Sequence, residues 1–374
     1  MSAPQAARAP RVLVSGVVLG QPLGGVVRHN AALLPRLAAR LTADGGALAV
    51  LEGRVPIEFP LPREVERIAS DVPWLPTVHR ALHEGRALAR ALAAAAERGA
   101  PFDLVHFGHH PVPRGLGVPY TLTAHDLRSL DMDRAPFVRR LLAPRFLQPA
   151  FRGARKVFTV SEATRARIVH HFGLDSADIT LVPNGVECER FLPRRTGAPY
   201  LLHVGHLEPR KDLGLLLAAL AHAADLPRLV IAGLAKGDEA ERLAALAGAL
   251  QVRERVELLG AVADQRLLEL YAGAAAVVLP SRLEGFGIVA LEALAAGAPL
   301  AASDLAAHRE VAGDAAEWFA VGDVAGCIAA VRRALGHGPS EAERGRARAA
   351  GCTWERAADA WYAGTVAAQR EPSG

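Results

Sequence analysis

Two glutamates with seven residues between them, Glu284 and Glu292, stand where a carboxylate is costly. Glu284 follows an apolar run, and Glu292 falls two turns into a stretch whose other residues are nearly all apolar or glycine. A carboxylate on a buried side needs an ion pair or hydrogen-bond donors. Sugar and ribose hydroxyls are such donors; an arginine beside Glu292, or water around Glu284, are the alternatives. Upstream, Leu202–Asp212 (LHVGHLEPRKD) brings Gly205, His206, Arg210 and Lys211 to a strand end just before a helix. A guanidinium and an ammonium there complement a diphosphate, since the first grips two oxygens and the second acts as a compact charge. The chain has lysine only at 156, 211 and 236, which singles out Lys211. A solvated basic turn is the competing reading.

Two motifs in the first half complete the set. Gly20–Arg28 (GQPLGGVVR) lies between the first strand and its helix, where Gly24 and Gly25 let backbone N–H groups approach an anion at a helix N-terminus; a tight turn without ligand is the alternative. Tyr120–Leu127 (YTLTAHDL) runs a strand into His125, which is either a site residue or a packed structural histidine. No Ser or Cys nucleophile motif accompanies it, so hydrolase chemistry lacks its parts.

These residues require strand ends to carry them. Short β-branched runs alternate with Ala/Leu-rich helical stretches along the whole chain, the pattern of βαβ units around a parallel sheet. Strands are expected near Arg11–Ser15, Ala47–Leu51, Leu104–Phe107, Tyr120–Thr123, Val157–Val160 and Ile179–Val182, then near Tyr200–Val204, Leu229–Ala232, Val256–Leu259, Ala276–Leu279 and Leu300–Ala302. Helices are expected over Val26–Leu41, Val78–Arg98 and Glu162–Phe172, and beginning near Lys211, Asp238, Asp264 and Phe286. The Pro/Gly-rich segment 183–199 interrupts the alternation. The expected organisation is α/β, with one doubly wound domain over 1–190, a second over 191–350 and a C-terminal helix over 351–374 that packs back on the first. Ligands of doubly wound sheets bind at the carboxyl ends of the strands.

Length and composition agree. At 374 residues, 51% of them apolar and 22% charged, the chain can build two cores. A net charge of +4 is too small to imply a nucleic-acid partner. Cys188, Cys327 and Cys352 have no metal-ligand or C-x-x-C spacing and suit a reducing, cytoplasmic setting. Glycines and a proline interrupt the apolar stretch after Arg11, so it reads as a buried strand rather than a leader, and no run is long enough to span a membrane. Residues 134–156 alternate cations with apolar residues, as a segment in peripheral contact with anionic lipid would, or an ordinary surface.

In this order the four motifs resemble the retaining glycosyltransferases of family four (glycosyl transferases group 1), which have the GT-B fold of two facing Rossmann-like doubly wound domains. Pro280–Glu292 is similar to the family's paired-glutamate signature, and Val160–Glu162, Val182–Val186 and Leu207–Lys211 also match. The resemblance implies that Glu284 binds donor-sugar hydroxyls with the Phe286-Gly287-Ile288 backbone, Glu292 the ribose, Arg210 and Lys211 the diphosphate, and His125 the sugar near the reacting carbon. It likewise implies an acceptor-binding domain over 1–190 and a nucleotide-sugar-binding domain over 191–350, with the Gly24-Gly25 loop closing over the donor and helping to shape the acceptor site. One departure stands out: many members carry arginine where this chain has His206. The resemblance further implies a front-face transfer of a hexose from a nucleotide-diphosphate sugar to a glycan, lipid-linked or small-molecule acceptor, with no metal and no cofactor beyond the donor substrate. A nucleotide-sugar epimerase and a non-catalytic sugar-nucleotide-binding protein are the alternatives. A nicotinamide oxidoreductase is disfavoured because G-x-G-x-x-G with a following ribose-binding acid is missing.

Overall fold

The computed structural model describes residues 8–21, 24–74, 77–127, 130, 147–194 and 199–370. It divides into two compact units, the first running to Pro183 and taking back the chain from Trp354, the second spanning Asn184–Thr353.

The first unit is built on a seven-stranded sheet of order β3-β2-β1-β4-β5-β6-β7. The strands are β1 (Arg11–Gly16), β2 (Ala47–Glu52), β3 (Glu66–Ile68), β4 (Leu104–Phe107), β5 (Tyr120–Ala124), β6 (Lys156–Thr159) and β7 (Ile179–Leu181), and every pairing is parallel. Parallel strands covered on both faces must be apolar nearly throughout, which is why Val12, Leu13, Val14, Leu104, Val105 and Phe107 are all buried. Helix α1 (Gly25–Ala43) lays Leu33, Leu34, Leu37 and Leu41 into this core. The final helix α2 (Trp354–Arg370) packs on α1, β6 and β7, with Trp354 and Trp361 in the core.

The second unit repeats the scheme with six strands in the order β10-β9-β8-β11-β12-β13. These are β8 (Tyr200–Val204), β9 (Arg228–Ala232), β10 (Val256–Gly260), β11 (Ala276–Leu279), β12 (Leu300–Ser303) and β13 (Glu317–Phe319), again all parallel. Both sheets therefore reverse strand order beside their first strand, between β1 and β4 and between β8 and β11. At such a switch point neighbouring loops diverge and leave room for a ligand.

The division at Pro183 rather than 190 has a local cause. Val186 N–H donates to Cys352 O at 2.9 Å, and the turn Cys188–Arg190 packs against helix α3 (Pro339–Ala350), so 184–190 belongs with the second unit. Two short edge strands, β3 and β13, were not expected from the sequence. No described helix is long and apolar enough to cross a membrane. Of the basic 134–156 segment, residues 134–146 lie outside the described residues; Leu147, Ala150 and Phe151 turn inward and are buried.

Candidate active site

In the second unit the sequence-predicted residues converge on the β8/β11 switch point. After β8 the chain passes Gly205, whose N–H donates to Ala232 O at 2.9 Å, and turns through Pro209–Lys211 into helix α4 (Leu213–His222). The loop after β11 is tied to that turn, since Arg282 N–H donates to Arg210 O at 2.7 Å. Glu284 thereby meets both cations. Lys211 Nζ donates to its Oε1 at 2.6 Å, Arg210 Nη1 to its Oε2 at 2.9 Å, and Ser281 Oγ also to Oε1 at 2.8 Å. Burial alone would raise the Glu284 carboxyl, but Lys211 and then Arg210 outweigh it and hold the group well below the ordinary carboxylate range.

This geometry removes two of the alternatives open at the sequence level. Glu284 does not face water, its side chain being 11% exposed, and Arg210–Lys211 is not a solvated turn, since Lys211 is 6% exposed. The carboxylate holds the two cations in place and offsets one of their two charges.

Glu292 lies on helix α5 (Ile288–Ala295), in which every residue after Ile288 is buried. Its Oε2 accepts a hydrogen bond from Tyr271 Oη at 2.8 Å. The helix starts at Ile288 rather than at Phe286 because Gly287 is left-handed, with φ of 100°. A Cβ at 287 would also stand 3.1 Å from His308 Cδ2, so glycine satisfies both demands. Phe286 is buried beside this turn.

Two buried histidines frame the cluster, and neither was singled out by sequence. His203 Nδ1 bonds Val278 O and His308 Nδ1 bonds Ser303 O, both at 3.0 Å, which places the ring proton on Nδ1 in each. Burial, then Lys211, pushes His203 down to about 4; burial also lowers His308, so both are neutral at pH 7. His206, where the family arginine would stand, is likewise held below its ordinary value, by burial first and by the Lys236 charge next.

In the first unit, Gly24 is left-handed with φ of 56° and opens α1, Gly25 being its first residue; Pro22 and Leu23 lie outside the described residues. His125 follows β5, and burial, then His106, lowers it to about 4. Its ring stands edge-on to His29 of α1, with centroids 4.7 Å apart. His29 and His106 in turn contact Trp361 of α2. A further buried group escaped sequence reading: Glu84 accepts from Ser15 Oγ at 2.6 Å and bonds His109 Nε2 at 3.0 Å, with Arg80 Nε at 3.9 Å. Its members are far apart in sequence and carry no shared motif; only a polar residue at a strand end, Ser15, hints at it.

Two family models match the chain in succession, Glycosyltransferase Family 4 over residues 23–190 and Glycosyl transferases group 1 over 187–350. Among curated proteins, the D-inositol 3-phosphate glycosyltransferase of Geodermatophilus obscurus is 35% identical over 236 residues, covering 57% of this chain and 52% of its own. The glycogen synthase of Mycobacterium tuberculosis is 38% identical over 208 residues, covering 53% of this chain and 49% of its own. The chain thus spans about half the length of the curated relatives it matches. Sucrose-phosphate synthase of Thermosynechococcus elongatus shares the fold, with a TM-score of 0.74 at 20% identity over 93% of this chain and 96% of its own.

Proposed function

The chain belongs to the family 4, group 1 glycosyltransferases of GT-B fold, and from that premise we propose that it moves a hexose from a nucleotide-diphosphate sugar to a hydroxyl of a glycan, lipid-linked or small-molecule acceptor with retention of anomeric configuration. The observation that carries this reading is the Glu284–Lys211–Arg210 cluster at the second unit's switch point.

The chemistry asked of the protein is electrostatic. As the bond from the anomeric carbon to the diphosphate oxygen breaks, its electron pair leaves with the phosphate, and Arg210 and Lys211 stabilise the growing charge. The acceptor oxygen bonds the anomeric carbon on the same face and its proton passes to the departing phosphate, so no carboxylate nucleophile is required. Glu284, the backbone of Phe286-Gly287-Ile288 and the neutral His125 orient the sugar, and Glu292 holds the ribose. With two cations already fixed in the site, we propose that neither a metal nor a further cofactor takes part.

The test is a panel of nucleotide sugars with and without candidate acceptors, the anomeric configuration of the product being read by NMR coupling constants. Transfer with retention, dependent on acceptor and persisting in chelator, supports the reading. A changed sugar in the absence of acceptor would assign an epimerase instead, and binding without turnover a binding protein.

A further inference from the structure

Lys236, the third lysine of the chain, enters the same charge network. Beyond the end of their pairing, β8 and β9 stay joined: Leu207 N–H donates to Leu234 O at 2.8 Å and Lys236 N–H to Leu207 O at 3.0 Å, extending the sheet by a bridge between Leu207 and Ala235. This requires two glycines in contact, since a Cβ at Gly233 would fall 1.9 Å from Gly205 O. The loop after β9 is thereby fastened to the loop that carries His206, Arg210 and Lys211.

Glu208 bridges the two loops. Arg210 Nη2 lies 2.6 Å from its Oε1 and Lys236 Nζ 3.3 Å from its Oε2. Arg210 is thus held between Glu208 and Glu284, with Lys211 on the far carboxylate and Lys236 on the near one. Two carboxylates set against three cations leave one positive charge among these groups; without Lys236 they would balance. The neighbouring Asp212 is offset by Arg282 at 2.8 Å. An anion gains from that surplus, and Lys236, 42% exposed on a flexible stem, can turn toward it at little cost while Arg210 keeps Glu208 satisfied.

We infer that Lys236 is a third phosphate-binding cation of the donor site, occupying by way of the β9 loop the role left open where His206 replaces the family arginine. His206 itself is neutral at pH 7 and offers a hydrogen bond but no charge. The inference rests on the proposed nucleotide-sugar reading and adds to it a residue from a different strand, so it can fail on its own.

Calorimetric titration with UDP, GDP and ADP, and saturation-transfer NMR with uridine, guanosine and adenosine, test it on the full chain. For whichever diphosphate the unmodified protein binds, Lys236→Ala is expected to weaken affinity about tenfold, the scale of one charge-assisted contact, and to leave the matching nucleoside unchanged. Lys236→Arg should retain binding, and His206→Arg introduced into Lys236→Ala should restore most of the loss. A merely structural lysine would weaken nucleoside and diphosphate alike. Unchanged diphosphate affinity in a folded Lys236→Ala, or an equal loss for nucleoside and diphosphate, overturns the assignment and leaves the function standing. Failure of all three diphosphates to bind the unmodified protein overturns both.

Discussion

Tyr271 donates its phenolic proton to Glu292 at 2.8 Å, and both side chains are buried. The bond fixes one carboxylate oxygen and so the direction in which the other is presented. If that carboxylate accepts from ribose, Glu292→Ala weakens nucleoside diphosphate binding by about 1.5–3 kcal/mol, roughly ten- to a hundredfold. Tyr271→Phe keeps the ring and removes only the orienting bond, so it should lower affinity in the same direction by less. Calorimetry on both variants checks the order; a Tyr271→Phe protein that binds more weakly than Glu292→Ala contradicts it.

Stability should fall as the solution is acidified from neutrality. His125 and His203 titrate at about 4 in the folded chain, and His106 at about 3, in each case chiefly because of burial, against 6.5 when unburied. Between those values the unfolded chain binds protons that the folded one refuses, so the stabilising preference for neutral rings is complete above about pH 6.5 and is lost progressively down to about pH 4. Thermal melts across that window should rise with pH. His203→Gln, which keeps a donor for Val278 O, should give a shallower rise; a steeper one would reverse the sign argued here.

The C-terminal helix contributes through burial and hardly at all through its surface charges. Trp361 is 1% exposed and touches His106 and Phe158, so Trp361→Ala should cost about 3–5 kcal/mol of unfolding free energy. Arg40 meets Glu355 and Asp359 at 2.8 and 2.7 Å, but both acids are well exposed, and Arg40→Ala should cost at most about 1 kcal/mol. Denaturant titration distinguishes the two; equal costs would refute the burial argument.

A single methyl group should disturb the donor site through the backbone. Gly233→Ala must push Gly205 aside, because the added Cβ would fall 1.9 Å from its carbonyl oxygen. Diphosphate affinity should drop together with melting temperature. Unchanged affinity would mean that the two loops are not coupled as described.

Where a segment is apolar on both faces or strongly periodic, the sequence was a sufficient guide. The strands Leu104–Phe107, Tyr200–Val204 and Ala276–Leu279 and the helix Glu162–Phe172 form over the residues expected from the sequence. The edge strands Glu66–Ile68 and Glu317–Phe319 were missed because each opens on an acid and offers at most one β-branched residue, unlike the equally short Ile179–Leu181. The same division holds at the site. Glu284, Arg210 and Lys211 declare themselves by type and order, whereas Lys236, Glu208, His308 and the Glu84–Ser15–His109 group meet only where tertiary packing brings separate segments together.

Glu284 restrains Arg210 and Lys211, and in the proposed function it also acts upon the transferred sugar while those two cations serve the diphosphate. Removing it should free those cations for phosphate. Glu284→Ala, measured beside the unmodified protein by calorimetry with a nucleoside diphosphate and by transfer assay, should therefore bind the nucleotide at least as tightly while losing roughly a hundredfold or more in turnover. A folded Glu284→Ala that loses nucleotide affinity as Glu292→Ala does, or that still transfers sugar at the original rate, would contradict the central claim.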